Sequence, residues 1–265
     1  MSNPAQYMRL LLIVLAKNEE TQLEKTVRDL QTACSPEQVA GMVLLLAQNV
    51  TEGCLRTANT LCGEWLSRSL GFPIPIEVVQ QSANSIPDGI ITVLDSRPDA
   101  SHVLLLVSDG FLESVAVSEL IARAAQDRDH IYKISRALPG GAFSPQYCAA
   151  ETWLYRLFCA FVRLLFGCSI TDPAFGVMVV PVHLFQLVRL RHKTLLFWVE
   201  WMYALLRSET VIVEIPAIHL PRTEKEGSST ILSRLRYVTI AIQMRFAPKK
   251  SIWTGDILRS NEKTN

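Results

Sequence analysis

A regular alternation between short apolar runs and helix-like segments constrains the fold of this chain more than any other feature of its sequence. Segments with apolar residues at helical spacing, such as Leu23, Val27 and Leu30, separate runs that are each short enough for one strand. Nearly continuous apolar runs are typical of strands buried on both faces. The alternation predicts an α/β fold with a doubly wound, mainly parallel sheet and helices on both faces. The predicted strands of the first half are 10–16, 42–47, 75–79 and 103–107.

The second half of the chain has a different pattern. A very apolar helical segment occupies 152–166, and Arg156 and Arg163 are its charged residues. It is either an ordinary buried helix or an interfacial helix that lies among lipid headgroups, as arginines within an apolar stripe favour. Two further strands are predicted at 176–182 and 210–215, with a helix between them at 198–206.

The C-terminal segment is basic. Five Lys and Arg residues and no acidic residue occur between 228 and 253. We therefore divide the chain into a domain at 1–230 and an amphipathic basic segment at 231–265. Such a helix either packs on the domain or binds an anionic membrane surface, where each basic residue contributes about 1 kcal/mol.

Composition excludes several classes of protein. In 265 residues, Lys and Arg number 26 and Asp and Glu 25, which argues against a nucleic-acid-binding protein. With 49% hydrophobic and 19% charged residues, the chain is not intrinsically disordered. No apolar run reaches the ~20 residues of a membrane-spanning helix. The six cysteines form no CxxC motif and are expected as reduced thiols of a cytoplasmic protein. The basic C-terminal segment and the apolar segment 152–166 with its arginines favour a location peripheral to a membrane.

Short motifs follow the predicted strands in both halves. In the first half they read Leu15-Ala16-Lys17-Asn18-Glu19-Glu20, Ala47-Gln48-Asn49-Val50-Thr51-Glu52-Gly53-Cys54 and Val107-Ser108-Asp109. In the second half they read Ser135-Arg136 with Pro139-Gly140-Gly141, then Thr171-Asp172-Pro173-Ala174-Phe175-Gly176, and finally Glu214-Ile215-Pro216, Arg222 and Gly227-Ser228-Ser229. In this order, over roughly residues 9–232, they resemble the motifs of family 2 glycosyltransferases of the GT-A fold, particularly the polyprenyl-phosphate sugar transferases similar to dolichyl-phosphate mannose synthase.

The resemblance implies a nucleotide-sugar donor and assigns residues to it. Ala16, Asn18 and Glu19 correspond to the motif that contacts the base and ribose. Gln48 stands where the family has an aspartate, and its amide is suited to hydrogen-bond a base or ribose edge. Two plainer interpretations stay open: Asn18 and Glu19 start and cap a helix, and Gln48 is a solvated loop amide.

The metal motif departs from the family pattern. Asp109 is its remaining carboxylate, because Val107 replaces the first aspartate. A divalent Mg or Mn ion can be held by one or two carboxylates with phosphate oxygens and water. We therefore predict a weakly held metal at Asp109, a catalytic position; the alternative is a loop aspartate that caps the helix after Gly110.

The acceptor implied by the resemblance is a polyprenyl-phosphate lipid. Arg136 with Gly140 and Gly141 is predicted to hold its phosphate, since a guanidinium binds two phosphate oxygens at once. Arg222 is predicted to close over the diphosphate, and Asp172 to orient the acceptor or act as a base. The plainer alternatives are a surface arginine for Arg136 and a turn cap for Asp172.

The leading hypothesis is therefore a glycosyltransferase that moves a sugar from a nucleotide sugar to a polyprenyl phosphate. This hypothesis is compatible with a separate, membrane-bound partner subunit. Gln48 and Val107 stand where the family has aspartates. Their presence favours an alternative, a non-catalytic relative that acts as a binding or regulatory subunit. A glycosyltransferase with a soluble acceptor is the third hypothesis.

Overall fold

The structure, a computed structural model, describes most of the chain. The described residues are 8–67, 71, 73–81, 85–108, 114–143, 145, 148–194, 196–208, 210–220 and 231–253, with the backbone alone at 231–234, 249 and 250.

The described residues form one sheet of seven strands, in the order β3-β2-β1-β4-β6-β5-β7. All neighbouring strands are parallel except β6, which is antiparallel to both β4 and β5. The strands are β1 (Leu10–Ala16), β2 (Val39–Leu46), β3 (Ile76–Gln80), β4 (His102–Val107), β5 (Ile131–Ser135), β6 (Met178–Pro181) and β7 (Ile212–Pro216).

Helices connect the strands and cover the sheet. Over the described residues they are α1 (Glu20–Ala33), α2 (Glu52–Leu66), α3 (Ile86–Asp95), α4 (Ser114–Gln126), α5 (Ala149–Phe166), α6 (Val182–Gln186), α7 (Phe197–Leu205), α8 (Ile231–Phe246) and α9 (Lys249–Ile252).

Two apolar cores lie on opposite faces of the sheet, because side chains alternate along a strand. Leu12 and Val14 of β1 pack in the core that includes residues of α1, α2 and α4. Leu11 and Ile13 pack in the other core, with residues of α3, α6, α7 and α8. The prediction of a doubly wound, mainly parallel sheet with helices on both faces is confirmed.

Some elements were not predicted from the sequence. The apolar runs located six strands to within a few residues, but β5 escaped because Lys133 stands in the middle of its run. Helix α3 also escaped, since its first turns contain Pro87 and Gly89, which weaken a helical pattern.

The strand directions gather many chain segments at one edge of the sheet. Because β6 runs backwards between β4 and β5, all the other strands point the same way. Their carboxyl ends include Ala16, Leu46, Val107, Ser135 and Pro216. We call this side the carboxyl edge; ligands of open α/β sheets bind there.

The C-terminal helices pack on the domain. Ile240, Ala241 and Met244 of α8 are buried in the second core, together with Trp253. One side of the predicted segment 231–265 is thus covered by protein, while 254–265 lie outside the described residues. No helix in the described ranges is long and apolar enough to cross a membrane.

Candidate active site

The first part of the site is the carboxyl edge of β1, β2 and β4. The carbonyl of Ala16 accepts the Ala47 N–H at 2.9 Å, and the carbonyl of Leu15 accepts the Ser108 N–H at 2.8 Å. These bonds extend the strand pairing by one residue beyond β2 and β4. The segments that follow the three strands therefore start side by side.

Glu19 links two of these segments. Its Oε2 accepts the backbone N–H groups of Lys17 at 2.8 Å and Asn18 at 3.0 Å, and the Ser108 hydroxyl donates to it at 3.4 Å. Glu19 is also the N-cap residue of α1, so the idea that Asn18 occupies the cap is wrong. The carboxylate of Glu19 thus lies across the edge between β1 and β4.

The start of α2 lies against α1. The Thr51 hydroxyl accepts the Cys54 N–H at 3.4 Å and caps the helix. A side chain at Gly53 would collide with the Glu20 carboxylate. The glycine of this motif therefore lets two acidic helix starts approach each other closely.

Other predicted donor residues have plainer surroundings or cannot be located. Gln48 is exposed, and its carbonyl accepts the Gln80 side-chain amide at 3.4 Å. Asp109 and Arg222 lie outside the described residues. Ser108, at the carboxyl end of β4, is the residue that precedes Asp109 in the sequence.

A buried ion pair forms the second part of the site, beyond β5 and before β6. Arg136 Nε donates to Asp172 Oδ2 at 2.8 Å, and Nη2 donates to Oδ1 at 3.0 Å. The Arg136 backbone N–H donates to the same carboxylate at 3.0 Å. Arg136 is 8% exposed and Asp172 is fully buried, so Arg136 is not a surface arginine and Asp172 does not cap a local turn.

Aromatic rings surround the guanidinium of Arg136. Its Cζ lies 4.3 Å from the ring centroid of Phe175, 5.0 Å from that of Tyr155 and 5.1 Å from that of Phe143. These distances are within the range of cation–π attraction. The Tyr155 hydroxyl donates to Asp172, so α5 holds the carboxylate from a third direction.

A second pair of charges supports the first. Lys133 and Glu214 are cross-strand partners in β5 and β7, and their side-chain charges lie 3.7 Å apart. Lys133 Nζ donates to the carbonyl of Asp172 at 2.6 Å, while Glu214 accepts the backbone N–H of Asp172 at 3.0 Å and of Thr171 at 2.7 Å. The two pairs together fix the loop 171–173 against the sheet.

Burial and neighbouring charges act in opposite directions on the pKa values of Asp172 and Lys133. Burial raises the pKa of Asp172, but Arg136 and Lys133 overcome this and bring it down to about 2. Burial lowers the pKa of Lys133, opposed by Asp172 and Glu214. Burial and the neighbouring Asp172 raise the pKa of Tyr155. An ionised carboxylate so well satisfied is suited to hold Arg136 and Tyr155 in place rather than to accept a proton.

The loop after β5 turns back and packs against the backbone of Ser135 and Arg136. Gly140 has a φ of 88°, which favours glycine, and the Gly141 N–H donates to the Leu138 carbonyl at 2.9 Å. A Cβ at Gly141 would lie 2.8 Å from the Ser135 carbonyl oxygen. Arg136, Gly140 and Gly141, predicted to act together, are therefore close in space.

Replacement of Gly141 by alanine is expected to lower the free energy of unfolding by about 2 kcal/mol, because the new methyl group meets backbone that cannot easily move. Gly63→Ala is the matched control. No atom lies within 4 Å of its added Cβ, and alanine favours the helix by up to about 1 kcal/mol. Urea denaturation measures both; equal effects of the two substitutions would contradict close packing at Gly141.

Sequence reasoning missed two members of this network. Tyr155 was hidden in the apolar stripe of its helix, and Lys133 in an otherwise apolar strand. Glu214 belonged to a recognised motif, but nothing in the sequence joined it to Lys133. For Lys133, the available signal was a single charged residue inside an apolar run.

Comparison with known proteins supports the fold. No protein-family model and no curated protein matches the chain. Solved structures of glucosyl-3-phosphoglycerate synthase from Mycobacterium tuberculosis do match. The complex with Mn²⁺, UDP-glucose and phosphoglyceric acid has a TM-score of 0.65 at 13% identity, over 92% of this chain and 82% of that chain. The complex with UDP gives 0.64 at 13% identity over 92% and 82%, and that with Mn²⁺, UDP and glucosyl-3-phosphoglycerate gives 0.62 at 14% over 90% and 80%.

These similarities establish the fold and nothing finer. The chain has the GT-A fold of nucleotide-sugar transferases, as its motifs predicted.

Proposed function

We propose that this protein is a glycosyltransferase that moves a sugar from a nucleotide-sugar donor to a phosphate-bearing acceptor. One observation carries the proposal. The predicted donor and acceptor residues that the structure describes are distant in sequence, but they lie along the carboxyl edge of one GT-A sheet. Ala16 and Glu19 lie on one side of β4, Ser108 follows β4 itself, and Arg136 with Asp172 lies on the other side. A donor and an acceptor bound there would meet over β4.

The donor's nucleoside half is assigned to the edge of β1 and β2. Ala16 ends a buried strand, so the backbone at 16–18 can approach a base closely. Asn18 and Gln48 carry exposed amides that can hydrogen-bond a base or ribose. Glu19 positions this turn through its three hydrogen bonds.

The diphosphate half is assigned to a divalent Mg or Mn ion near Asp109. Among the described residues no group of three or more His, Cys, Asp and Glu could hold a metal. The side-chain oxygens of Glu19 and Ser108 lie at this edge, and a hard ion can share its coordination with phosphate oxygens and water. Such an ion, when bound, offsets the charge on the leaving diphosphate. With one carboxylate in the motif, it would be held weakly.

The acceptor phosphate is assigned to Arg136 and the Gly140–Gly141 loop. Asp172 and Tyr155 fix the plane of the guanidinium, so little ordering is needed when an anion binds. A phosphate is already anionic at neutral pH and needs little base assistance, which suits the ionised state of Asp172.

We favour a polyprenyl phosphate as the acceptor because helices α5 and α8 expose large apolar side chains beside this site. A peripheral location at a cytoplasmic membrane surface, with or without a membrane-bound subunit, follows from that choice. A soluble phosphorylated acid is the second candidate, since structures similar in fold bind phosphoglyceric acid.

A thermal-shift screen of nucleotide sugars, with and without Mn²⁺, tests the proposal. A ligand at 100 times its dissociation constant stabilises the folded state by about 2.7 kcal/mol. We expect one nucleotide sugar to raise the melting temperature, more so with Mn²⁺, and to be consumed when the correct phosphate acceptor is added. Binding without turnover on lipid or soluble acceptors would favour a non-catalytic subunit, and no binding at all would contradict the proposal.

A further inference from the structure

Exposed apolar residues are concentrated on two neighbouring helices. Of the 11 large apolar side chains exposed in the described part of the chain, seven belong to α5 or α8. On α5, Trp153, Leu157 and Leu164 lie along one face at i, i+4 and i+11, with exposures of 63%, 53% and 85%. Soluble proteins seldom expose a contiguous apolar surface without a partner for it.

The two helices run side by side in the same direction. Phe158 contacts Tyr237, with ring centroids 6.4 Å apart, and Arg245 Nε donates to the Leu165 carbonyl at 2.8 Å. The exposed large apolar residues of α8 are Leu235, Ile242 and Phe246, at i, i+7 and i+11. Together with the exposed stripe of α5 they form one surface, which we call the α5–α8 face.

The charge of the α5–α8 face is positive. Arg156 and Arg163 are exposed beside the apolar stripe of α5, and Arg236 is exposed on α8. No carboxylate among the described residues forms an ion pair with these three arginines. Glu151, the one acidic residue in either helix, accepts the Cys148 N–H at the helix start.

We infer that the α5–α8 face binds the surface of an anionic lipid bilayer. Apolar side chains would enter the region below the headgroups, and the arginines would contact lipid phosphates, as in amphipathic helices that lie in the interface. An apolar protein partner would leave these arginines without counter-charges, whereas anionic lipids supply them. The inference rests on the proposed lipid-phosphate acceptor for its purpose.

The position of the face relative to the site fits that purpose. Tyr155, whose hydroxyl contacts Asp172, lies on α5 between Trp153 and Arg156. The helix thus has the ion pair on one side and the lipid-binding residues on the other. One helix, about 10–12 Å across with its side chains, therefore separates lipids bound at this face from the ion pair.

Sedimentation of the full chain with vesicles tests the inference. We expect binding to phosphatidylcholine vesicles that contain phosphatidylglycerol, and much weaker binding without it. Salt should release the protein, since the Debye length falls from about 10 Å at 0.1 M to about 3 Å at 1 M. Failure to bind anionic vesicles at low salt would overturn the inference.

Two variants locate the surface. Arg156→Glu/Arg163→Glu should weaken vesicle binding by at least about 25-fold, because each arginine near an anionic surface contributes about fivefold. Arg56→Glu/Arg123→Glu changes the net charge equally at exposed positions of α2 and α4, on the other face of the sheet, and should bind almost normally. Equal losses in both variants would overturn the assignment to this face.

A third variant and a second measurement separate the alternatives. Leu157→Ser/Leu164→Ser should weaken binding at every salt concentration without lowering the melting temperature, because both side chains are exposed. If the wild-type chain forms a dimer that these substitutions dissociate, the face binds a second copy and the inference is wrong. Nucleotide-sugar binding is measured without vesicles, so failure of the proposed donor is seen separately.

Discussion

Replacement of Arg136 by alanine is expected to lower the free energy of unfolding by about 3–5 kcal/mol at neutral pH, because it leaves a fully buried carboxylate without its partner. Asp172 would keep the backbone N–H of residue 136, the Tyr155 hydroxyl and the attraction of Lys133, but it would lose both hydrogen bonds from the guanidinium. Chemical denaturation measures the loss.

The pH dependence of stability gives this variant a distinctive signature. In the wild-type protein the pKa of Asp172 is depressed to about 2 from an ordinary 3.8. Its contribution is therefore present above about pH 4 and is lost as the pH falls toward 2. In Arg136→Ala, burial acts with less opposition and raises that pKa. The variant should then recover stability as acid neutralises Asp172, and so approach the wild-type value near pH 4.

Two further variants of this chain serve as controls. Arg156→Ala removes an exposed arginine from the same region and should change stability by less than about 0.5 kcal/mol. Arg136→Met/Asp172→Asn removes both charges and should lose less than the two single variants together. A small loss for Arg136→Ala, with the same pH slope as the wild type, would mean that the ion pair contributes little.

The sequence predicted those parts of the fold that depend on local apolar patterns. Strand β1 was predicted to the residue, because every position in Leu10–Ala16 is buried and apolar. Strand β5 was missed because the side chain of Lys133 is stabilised by β7 and by the loop at Asp172. Such partners come together only through the order of strands in the sheet.

The candidate site divides in the same way. Motif order identified Arg136 and Asp172 separately, as a phosphate ligand and as an acceptor-orienting residue or base. Their pairing could not be foreseen, since 36 residues separate them and the contact requires β6 to run antiparallel beside β5. Glu19 was assigned to the donor, while its bond to Ser108 needed the parallel register of β1 and β4.

Substitution of Asp109 by asparagine is expected to remove the Mn²⁺-dependent part of donor binding and to reduce turnover about 100-fold or more. A metal contributes several kcal/mol by offsetting charge on a leaving diphosphate, and an amide holds it poorly. Asp109 follows Ser108, whose N–H extends the pairing of β4 with β1 at the carboxyl edge. Asp129→Asn, just before β5 at the opposite edge, is the matched control and should behave like the wild type.

The reciprocal change makes this test sharper. Val107 occupies the end of β4 where the resembling transferases have their first metal-motif aspartate, and it is only partly buried, so an acid there can remain solvated. Val107→Asp should therefore tighten Mn²⁺-dependent binding of the nucleotide sugar, whereas Asp109→Asn weakens it. The affinity in excess Mn²⁺ and in a chelator measures both. If neither substitution changes the difference between those two affinities, the metal assignment at Asp109 is wrong, and positively charged side chains must neutralise the diphosphate instead.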